Sequence, residues 1–380
     1  MSIQTVTLLY GILTFVACVF FFLLTVSNIL WQFHGTYTIP LKTGPHVSVL
    51  VPARNEEQHI RQCLDSLLDQ EYMNYSIIVI DDDSEDDTWN ILREYMLRFP
   101  RKLRAVKSKS LPEGWYGKPH AMHQLASMAQ GPYLLFTDAD TVHSPRSIGK
   151  AVAIAESKQA DLVTGYVHHL MPTFGEAIAE AGIYLVTMLS LPLWLVPSRR
   201  FPRISHAVGQ YMLFRKAAYD RVGGYASVRD KVTEDVRIAQ LLKQAGGKIV
   251  FWDLKDYVSC RMYSSYHEAI EGMAKNAFDY MDKNVLTLIG GTLFTTAAFL
   301  IPVLSLVLPL PWLEPAAPYL KSSAILTFYS WVLLTIDRRL PFFVPLVYPI
   351  VLINAMSASW RGFDRIRRKG GILWKGRKVS

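Results

Sequence analysis

Short apolar runs alternate with helically spaced apolar residues through the middle of the chain. The runs occupy residues 47–51, 77–80, 133–136 and 249–252. Between the first two runs, apolar side chains recur at three- and four-residue intervals, as in a helix with one buried face. Strands that are apolar on both faces and alternate with helices are typical of a parallel sheet covered by helices. The pattern therefore predicts an α/β fold with a Rossmann-like, mostly parallel sheet.

A longer apolar stretch precedes this region. Residues 6–31 carry no charged side chain, and the first charged residue is Lys42. About 20 apolar residues suffice to cross the hydrocarbon core of a bilayer. A secretory signal begins with basic residues and has a shorter apolar run, which is not the pattern here. We therefore expect residues 1–35 to form an uncleaved N-terminal transmembrane anchor, and residues 42–283 to form one soluble domain.

Three charge-free runs follow the soluble domain. They occupy residues 284–313, 322–336 and 340–360, and they predict a C-terminal membrane region of two or three helices over 284–360. Basic residues follow the first span and none precedes it, so the positive-inside rule places the soluble domain on the cytoplasmic side. A cytoplasmic tail then requires an even number of later crossings, so one run is expected not to span. The sequence predicts a multi-pass protein of the cell membrane.

Basic side chains concentrate at the C-terminal end. The 380 residues have a formal net charge of +8, and residues 361–378 contribute eight basic side chains against one acidic side chain. Because this segment follows the membrane region and contains apolar residues, we expect an interfacial tail over 361–380 that is attracted to acidic lipids; a solvated tail is the alternative. A lipid bilayer, and not nucleic acid, is the expected partner. The three cysteines have neither disulfide nor zinc spacing.

Polar and acidic residues follow the apolar runs, where ligands bind in parallel sheets. After the first run, Asn55 is placed to cap the next helix and Glu56 to lie near its first turn. After the second run, residues 81–88 form an acidic turn whose carboxylates suit ribose hydroxyls or a base edge. Helix capping alone also explains both turns.

The third run is followed by Asp138 and Asp140. Alternate side chains of an extended chain point the same way, so both carboxylates can face one hard cation. Mg²⁺ and Mn²⁺ prefer oxygen ligands and leave coordination positions for substrate phosphates. A further acidic pair, Glu234 and Asp235, follows Thr233 at the start of a helical pattern, where an N-capped first turn is the alternative to a functional role.

Capping does not explain why four such turns occur together. The chain has no dinucleotide-binding glycine motif, no Walker loop and no nucleophile elbow, which removes support for dehydrogenases, kinases and hydrolases. In order and spacing, the turns resemble family 2 glycosyltransferases of the GT-A fold. The resemblance rests on residues 52–57 (PARNEE), 81–84 (DDDS), 138–140 (DAD) and 233–235 (TED). Residues 115–121 (WYGKPHA), 261–263 (RMY) and 374–377 (WKGR) are similar to a bacterial branch that glycosylates carotenoid acids.

The resemblance implies roles for individual residues. The donor, a UDP-sugar that is expected to carry glucose, would be bound by Ala53, Glu56, Asp82, Lys118 and Asp138. Asp138 and Asp140 would hold the Mg²⁺ or Mn²⁺ cofactor, and Asp235 would be the catalytic base. Diphosphate or acceptor contacts are expected from Glu234, Arg261, Lys275 and Trp194. For Arg261 and Lys275, contact with lipid headgroups is an equal alternative.

Two departures from the family pattern bear on function. Asp83 stands where the family has glycine in a tight turn, which makes selectivity for the base less certain. The Gln-x-x-Arg-Trp signature of processive synthases is missing, so a single transfer by an inverting enzyme is expected.

The acceptor is expected to be hydrophobic. Residues 181–198 carry no charge, but one crossing there would separate Asp138 from Asp235, so we expect an interfacial acceptor segment over 176–198 that includes Trp194. A membrane lipid such as a carotenoid acid is the predicted acceptor. The alternatives are a polysaccharide or polyprenyl-phosphate sugar transferase of the same fold, and a non-catalytic membrane scaffold that binds nucleotides or lipids.

Overall fold

A computed structural model describes residues 2–33, 38–202, 204–368, 372–374 and 377–379. Its strands are β1 Val47–Ala53, β2 Tyr75–Asp81, β3 Leu103–Lys107, β4 Tyr133–Thr137, β5 Thr141–His143, β6 Leu162–Thr164, β7 His168–His169, β8 Tyr211–Arg215, β9 Ile249–Phe251, β10 Val258–Cys260, β11 Ile372–Trp374 and β12 Arg377–Val379. The four apolar runs of the sequence correspond to β1, β2, β4 and β9.

Helices connect the strands and form the two ends of the chain. They are α1 Ile3–Phe33, α2 Ile60–Leu68, α3 Thr88–Arg98, α4 Gly117–Met128, α5 Ser147–Lys158, α6 Phe174–Glu180, α7 Ile183–Thr187, α8 Lys216–Arg221, α9 Glu234–Gln244, α10 Tyr266–Tyr280, α11 Val285–Thr295, α12 Ile301–Val307, α13 Ala317–Arg338 and α14 Val344–Arg368. The chain divides into two compact units.

One unit comprises residues 32–170 and 193–262 together with the last eight residues of the chain. Its main sheet has seven strands in the order β3-β2-β1-β4-β8-β6-β9. Only β8 runs antiparallel to its neighbours, β4 and β6, and the other pairs are parallel. The carboxyl ends of β1, β2, β4, β6 and β9 therefore lie along one edge, and β8 begins at that edge. This is the mostly parallel α/β sheet that the sequence predicts.

The sheet is buried on both faces, as continuous apolar strands require. On one face, Val49, Val79 and Leu135 are at most 1% exposed and belong to one core with α2, α3 and α5. On the other face, Leu50 and its partner Phe136 are fully buried. Burial of one such side chain contributes about 1.5–3 kcal/mol. The core therefore fixes the positions of the strand ends, and with them the positions of the loops that follow.

The other unit comprises residues 1–31, 171–192 and 263–372. Within the described residues, three helical stretches are long and apolar enough to cross a membrane, namely Ile3–Gln32, Val285–Val307 and Pro311–Arg338. They confirm the predicted N-terminal helix and a C-terminal helical membrane region. The third C-terminal run forms α14, which is not among the candidate spans. The side of the membrane on which each unit lies stays a prediction.

Candidate functional site

The loops after β1 and β2 are joined by reciprocal hydrogen bonds. The Asn55 N–H donates to Ser84 Oγ at 3.0 Å, and the Glu85 N–H donates back to Asn55 Oδ1 at 2.9 Å. The Glu57 N–H donates to Asp86 Oδ2 at 3.0 Å. The two loops therefore form one acidic surface at the carboxyl edge of the sheet.

The helix cap predicted at Asn55 is wrong. Helix α2 begins at Ile60, five residues later, and Asn55 has a positive φ of 52°. Its side-chain oxygen accepts from Glu85 because the left-handed backbone turns it toward the neighbouring loop. Asn55 thus joins two loops and does not start the helix.

The predicted nucleoside contacts lie beside this junction. Ala53 is 1% exposed, and its carbonyl accepts from the Asp82 N–H at 2.7 Å. Arg54 Nη1 donates to the Asp82 carbonyl at 2.6 Å, which fixes the turn. Glu56 is half-buried, and its N–H donates to Thr88 Oγ1 at 2.8 Å. The structure brings the three predicted residues to one part of the edge, and their role in donor binding stays a prediction.

Asp83 confirms that the turn needs a left-handed residue. Its φ is 62°, in the region that glycine adopts without cost and other residues avoid. Aspartate tolerates this conformation better than alanine does. Its ion pair with Arg54 is long, at 3.6 Å, and the Asp83 side chain is 81% exposed, so the pair contributes little.

We expect Asp83→Gly to unfold at a temperature no lower than the wild type, and Asp83→Ala to lose about 1 kcal/mol relative to Asp83→Gly. The left-handed backbone is strained by the Cβ of alanine, and alanine has no polar side-chain atom that could form a compensating local hydrogen bond. Thermal unfolding of the three proteins in detergent measures the order. An alanine variant as stable as the glycine variant would show that the turn does not impose this backbone.

Lys118 is the centre of a charged cluster at the same edge. It is the second residue of α4, and its Nζ lies 2.7 Å from Asp138 Oδ1 and 3.0 Å from Asp138 Oδ2. Glu234 Oε1, from the first turn of α9, lies 3.5 Å away. The Glu234 side chain is 8% exposed and that of Asp138 is 23% exposed, so both carboxylates have limited contact with water.

The cluster shifts two pKa values. Burial disfavours the charged form of Lys118, but the negative charges of Asp138 and Glu234 outweigh it and raise the pKa of this ammonium above its ordinary value. Burial raises the pKa of the Asp235 carboxyl, while Lys118 and two backbone amides act in the opposite direction. The lysine stays cationic, and Asp235 becomes a better proton acceptor than an exposed aspartate.

Asp235 is oriented by backbone amides. The Gly209 N–H donates to Asp235 Oδ2 at 2.9 Å, and the Val236 N–H donates to Asp235 Oδ1 at 2.8 Å. Thr233, for which helix capping was the alternative explanation, makes no capping hydrogen bond with its side chain at the start of α9. Gly209 was missed by the sequence reasoning, because a contact between positions 26 residues apart leaves no local signal.

A side chain at position 209 would enter the charged cluster. A Cβ there would lie 3.3 Å from Asp235 Oδ2 and 3.5 Å from Lys118 Nζ. We expect Gly209→Ala to lower kcat about tenfold, because a displacement of a catalytic group by a fraction of an ångström is costly. Gly290→Ala is the control, since no atom of the described residues lies within 4 Å of a Cβ at that position. Equal kcat in both variants would contradict the placement of Gly209 beside the reacting groups.

A buried hydroxyl–imidazole network supports the turn that carries Asp138. Thr141 Oγ1 donates to the Asp138 carbonyl at 2.7 Å and lies 3.0 Å from His143 Nε2. Thr137 Oγ1 lies 3.1 Å from the same nitrogen and donates to the Gln210 carbonyl at 2.8 Å. Burial lowers the pKa of His143 to about 3, so the ring stays neutral. The network fixes the turn without adding charge.

The other predicted site residues are more dispersed. Asp140 is half-buried in the turn after β4, two residues beyond Asp138. Arg261 directly follows β10, and Trp194 is 46% exposed in the 3₁₀ turn Leu193–Leu195. Lys275 lies on α10, in the unit that contains the apolar helices. Part of the predicted 374–377 motif lies outside the described residues.

In the described part of the chain, no group of three or more histidine, cysteine or acidic side chains is arranged to hold a metal ion. A cation held here would therefore take ligands from its substrate as well as from the protein. Asp138 and Asp140 offer carboxylate oxygens, the donor type that Mg²⁺ and Mn²⁺ prefer, and these cations commonly use one or two carboxylates with substrate phosphates. The residues fit such a cation.

The sequence of the chain is similar to known glycosyltransferases. Residues 48–223 match a family model described as "Glycosyl transferase family 2". A curated protein of Staphylococcus aureus (strain USA300), "4,4'-diaponeurosporenoate glycosyltransferase", is 23% identical over 343 residues, which cover 88% of each chain. The protein of the same description from strain MRSA252 is 22% identical over 340 residues, with the same coverage.

A solved structure shares the fold. It is described as "Mannosyltransferase PcManGT from Pyrobaculum calidifontis in complex with GDP-Man and Mn2+". The alignment covers 97% of this chain and 99% of that chain, with a TM-score of 0.57 and 16% sequence identity. At this identity the likeness is evidence of the fold alone.

Proposed function

We propose that this chain, whose residues 48–223 match the family 2 glycosyltransferase model, transfers a hexose from a UDP-sugar to a hydrophobic membrane lipid. The predicted family resemblance and the GT-A fold are confirmed by the family match and by the shared fold of the mannosyltransferase. The sugar, the nucleotide, the acceptor and the stereochemistry belong to the proposal.

The observation that carries the proposal is the charged cluster of Lys118, Asp138, Glu234 and Asp235 at the carboxyl edge of the sheet. The four residues come from three separate stretches of the chain and meet where a parallel sheet binds ligands. A lysine kept cationic beside three carboxylates, one of them with a raised pKa, provides both a stabiliser of negative charge and a proton acceptor.

A divalent cation fits the carboxylates of this edge. Asp138 and Asp140 would hold Mg²⁺ or Mn²⁺, with the diphosphate of the donor completing the coordination. When bound, the cation stabilises the negative charge that develops on the departing nucleoside diphosphate. The mannosyltransferase of the same fold is described with Mn²⁺, which supports this assignment.

The chain's own residues would perform the remaining steps. Lys118 pairs with Asp138 and is also placed to attract the diphosphate. Its ammonium stays charged, and its side chain is 39% exposed. Asp235 would accept the proton of an attacking acceptor hydroxyl, with its carboxylate oriented by the Gly209 amide. Attack from the side opposite the leaving group inverts the anomeric centre.

The joined loops after β1 and β2 are proposed as the nucleoside site. Ala53 and Asp82 are buried at the junction of the two loops, and Glu56 is half-buried near them. Carboxylates there would accept hydrogen bonds from ribose hydroxyls and from a base edge. We assign uracil as the base and glucose as the sugar by resemblance to the family branch, with Glu234, Arg261, Lys275 and Trp194 as candidate diphosphate or acceptor contacts.

A lipid acceptor agrees with the apolar helices of the chain. The relative in Staphylococcus aureus is named for a carotenoid acid, and it aligns over 88% of this chain. Three candidate spans support a membrane location for part of the protein. We propose the cell membrane as its location, with the glycosyltransferase domain on the cytoplasmic side and the basic tail on acidic lipid.

Analysis of the product tests this proposal. Membranes that contain the protein are incubated with UDP-glucose or GDP-mannose, each radiolabelled, and the labelled lipid is treated with mild base and with mild acid. Preferred use of UDP-glucose with a base-labile product supports transfer to a carboxylic acid, and a product stable to both treatments supports transfer to a hydroxyl. An acid-labile, phosphate-linked product would identify a polyprenyl-phosphate transferase, and no labelling from either donor would favour a binding protein.

A further inference from the structure

A buried lysine lies at the opposite end of α9 from Asp235. Lys243 is 3% exposed, and its ammonium donates to the carbonyls of Leu195, at 3.2 Å, and Ile204. Among the described residues, these carbonyls are its only hydrogen-bond partners, and no carboxylate compensates its charge. Burial lowers its pKa to about 8. A buried cation is expensive, and here it is stabilised by the backbone carbonyls of two residues, Leu195 and Ile204.

The segment that begins with Ile204, residues 204–209, runs from Lys243 to Asp235. The two residues are eight positions apart on α9, which corresponds to about 12 Å along the helix axis. Five residue steps of extended chain reach about 17 Å at most, so residues 204–209 are long enough to span this distance. We call residues 204–209 the α9 strap.

The α9 strap is fixed at three points. Lys243 holds its first residue through the Ile204 carbonyl. Thr164, fully buried at the end of β6, accepts from the Val208 N–H at 3.1 Å and donates to the Val208 carbonyl at 3.3 Å. The last residue, Gly209, donates its N–H to Asp235 Oδ2 at 2.9 Å. The position of the amide that orients Asp235 is therefore set by a side chain on the sheet.

We propose that Thr164 and Lys243 are positioning residues for sugar transfer, acting on Asp235 through the α9 strap. The inference rests on the proposed role of Asp235 as the base. Without the Thr164 hydroxyl, the amide of Val208 loses a buried partner and the strap shifts, which takes the Gly209 N–H away from the carboxylate. Asp235 then samples orientations that do not face the acceptor, while the predicted nucleoside contacts after β1 and β2 are unchanged.

Thr164→Val tests the strap with little change of volume. We expect a 10- to 100-fold lower kcat, a donor KM within about twofold of wild type and unchanged UDP binding by calorimetry. Hydrogen exchange at the amides of Val208 and Gly209, followed by mass spectrometry of the full-length protein, should become at least about tenfold faster. Thr164→Ser restores the hydroxyl and should recover both kcat and the protection from exchange.

Ser48→Ala is the matched control. Ser48 is also fully buried in the sheet, and its hydroxyl donates to the Gln130 carbonyl at 2.7 Å and accepts from the Gln130 N–H at 3.0 Å. It lies near the amino end of β1, away from the carboxyl edge. A comparable loss of thermal stability with wild-type kcat is expected, which separates positioning from general destabilisation.

Lys243→Met supplies a second variant that removes the other anchor of the strap. It should show the same selective loss of kcat as Thr164→Val. If both variants keep wild-type kcat, or if donor KM rises in step with the loss of kcat, the strap does not position the base. Wild-type protein that binds UDP but transfers no sugar would instead refute the proposed function, together with the role assigned to Asp235.

Discussion

Asp138→Asn is expected to reduce sugar transfer about 10³-fold. Asparagine keeps the size of the side chain but removes the charge that faces Lys118 Nζ at 2.7 Å and that would hold the cation. The departing diphosphate would then be stabilised by fewer fixed charges, and the ammonium of Lys118 would lose its nearest partner. The measurement is the initial rate of transfer at saturating donor, with Mn²⁺ varied over several orders of magnitude.

Asp220→Asn is the control for this substitution. Asp220 pairs with Lys216 on α8 and is 54% exposed, so its loss should change the rate by less than about twofold. In the Asp138 variant, the Mn²⁺ concentration for half-maximal rate should also rise. A variant with a reduced rate but an unchanged metal requirement would mean that Asp138 acts through Lys118 and not through the cation.

Asp235→Asn is expected to lower kcat by about 10² to 10⁴ when the acceptor is an alcohol, because no group then accepts the proton of the attacking hydroxyl. A carboxylic acid acceptor is already ionised near neutral pH, so its transfer should fall about tenfold or less. Asp230→Asn, with a side chain 57% exposed outside the charged cluster, serves as the control. A similar loss with both acceptor types would contradict a role as base.

The pH dependence of the wild type offers a second test of Asp235. Burial raises its pKa, so the carboxyl takes up a proton at a higher pH than an exposed aspartate does. A base works only when deprotonated, so kcat/KM for an alcohol acceptor should fall as the pH drops through this raised value. The acid limb should lie above the ordinary aspartate value of about 3.9, and it should be absent in Asp235→Asn.

The strands that carry the site could be predicted because they are buried on both faces. Continuous apolar residues mark β1, β2 and β4, and acidic residues follow each of them. Strand β3 was missed because it alternates, with Leu103 and Ala105 buried and Arg104 exposed, as suits the edge of a sheet. Strand β8 was also missed, although it is as apolar as its neighbours, and its antiparallel direction leaves no trace in the composition.

The contacts that orient the site could not be predicted. The amide of Gly209, the hydroxyl of Thr164 and the ammonium of Lys243 act through backbone groups that every residue possesses. Such contacts depend on the three-dimensional path of the chain and not on residue spacing. The opposite holds for Asp83, where the departure from glycine in the family turn pointed directly to a left-handed backbone.

The most direct test of the central claim is transfer of label from radiolabelled UDP-glucose to membrane lipid by the full-length protein, with Mn²⁺ and then with excess chelator. We expect the wild-type protein to label one lipid in the presence of Mn²⁺. This labelling should be lost on chelation and should be absent with Asp138→Asn. Labelling that persists in that variant, or none from any nucleotide sugar with the wild-type protein, would contradict a metal-assisted glycosyl transfer centred on Asp138.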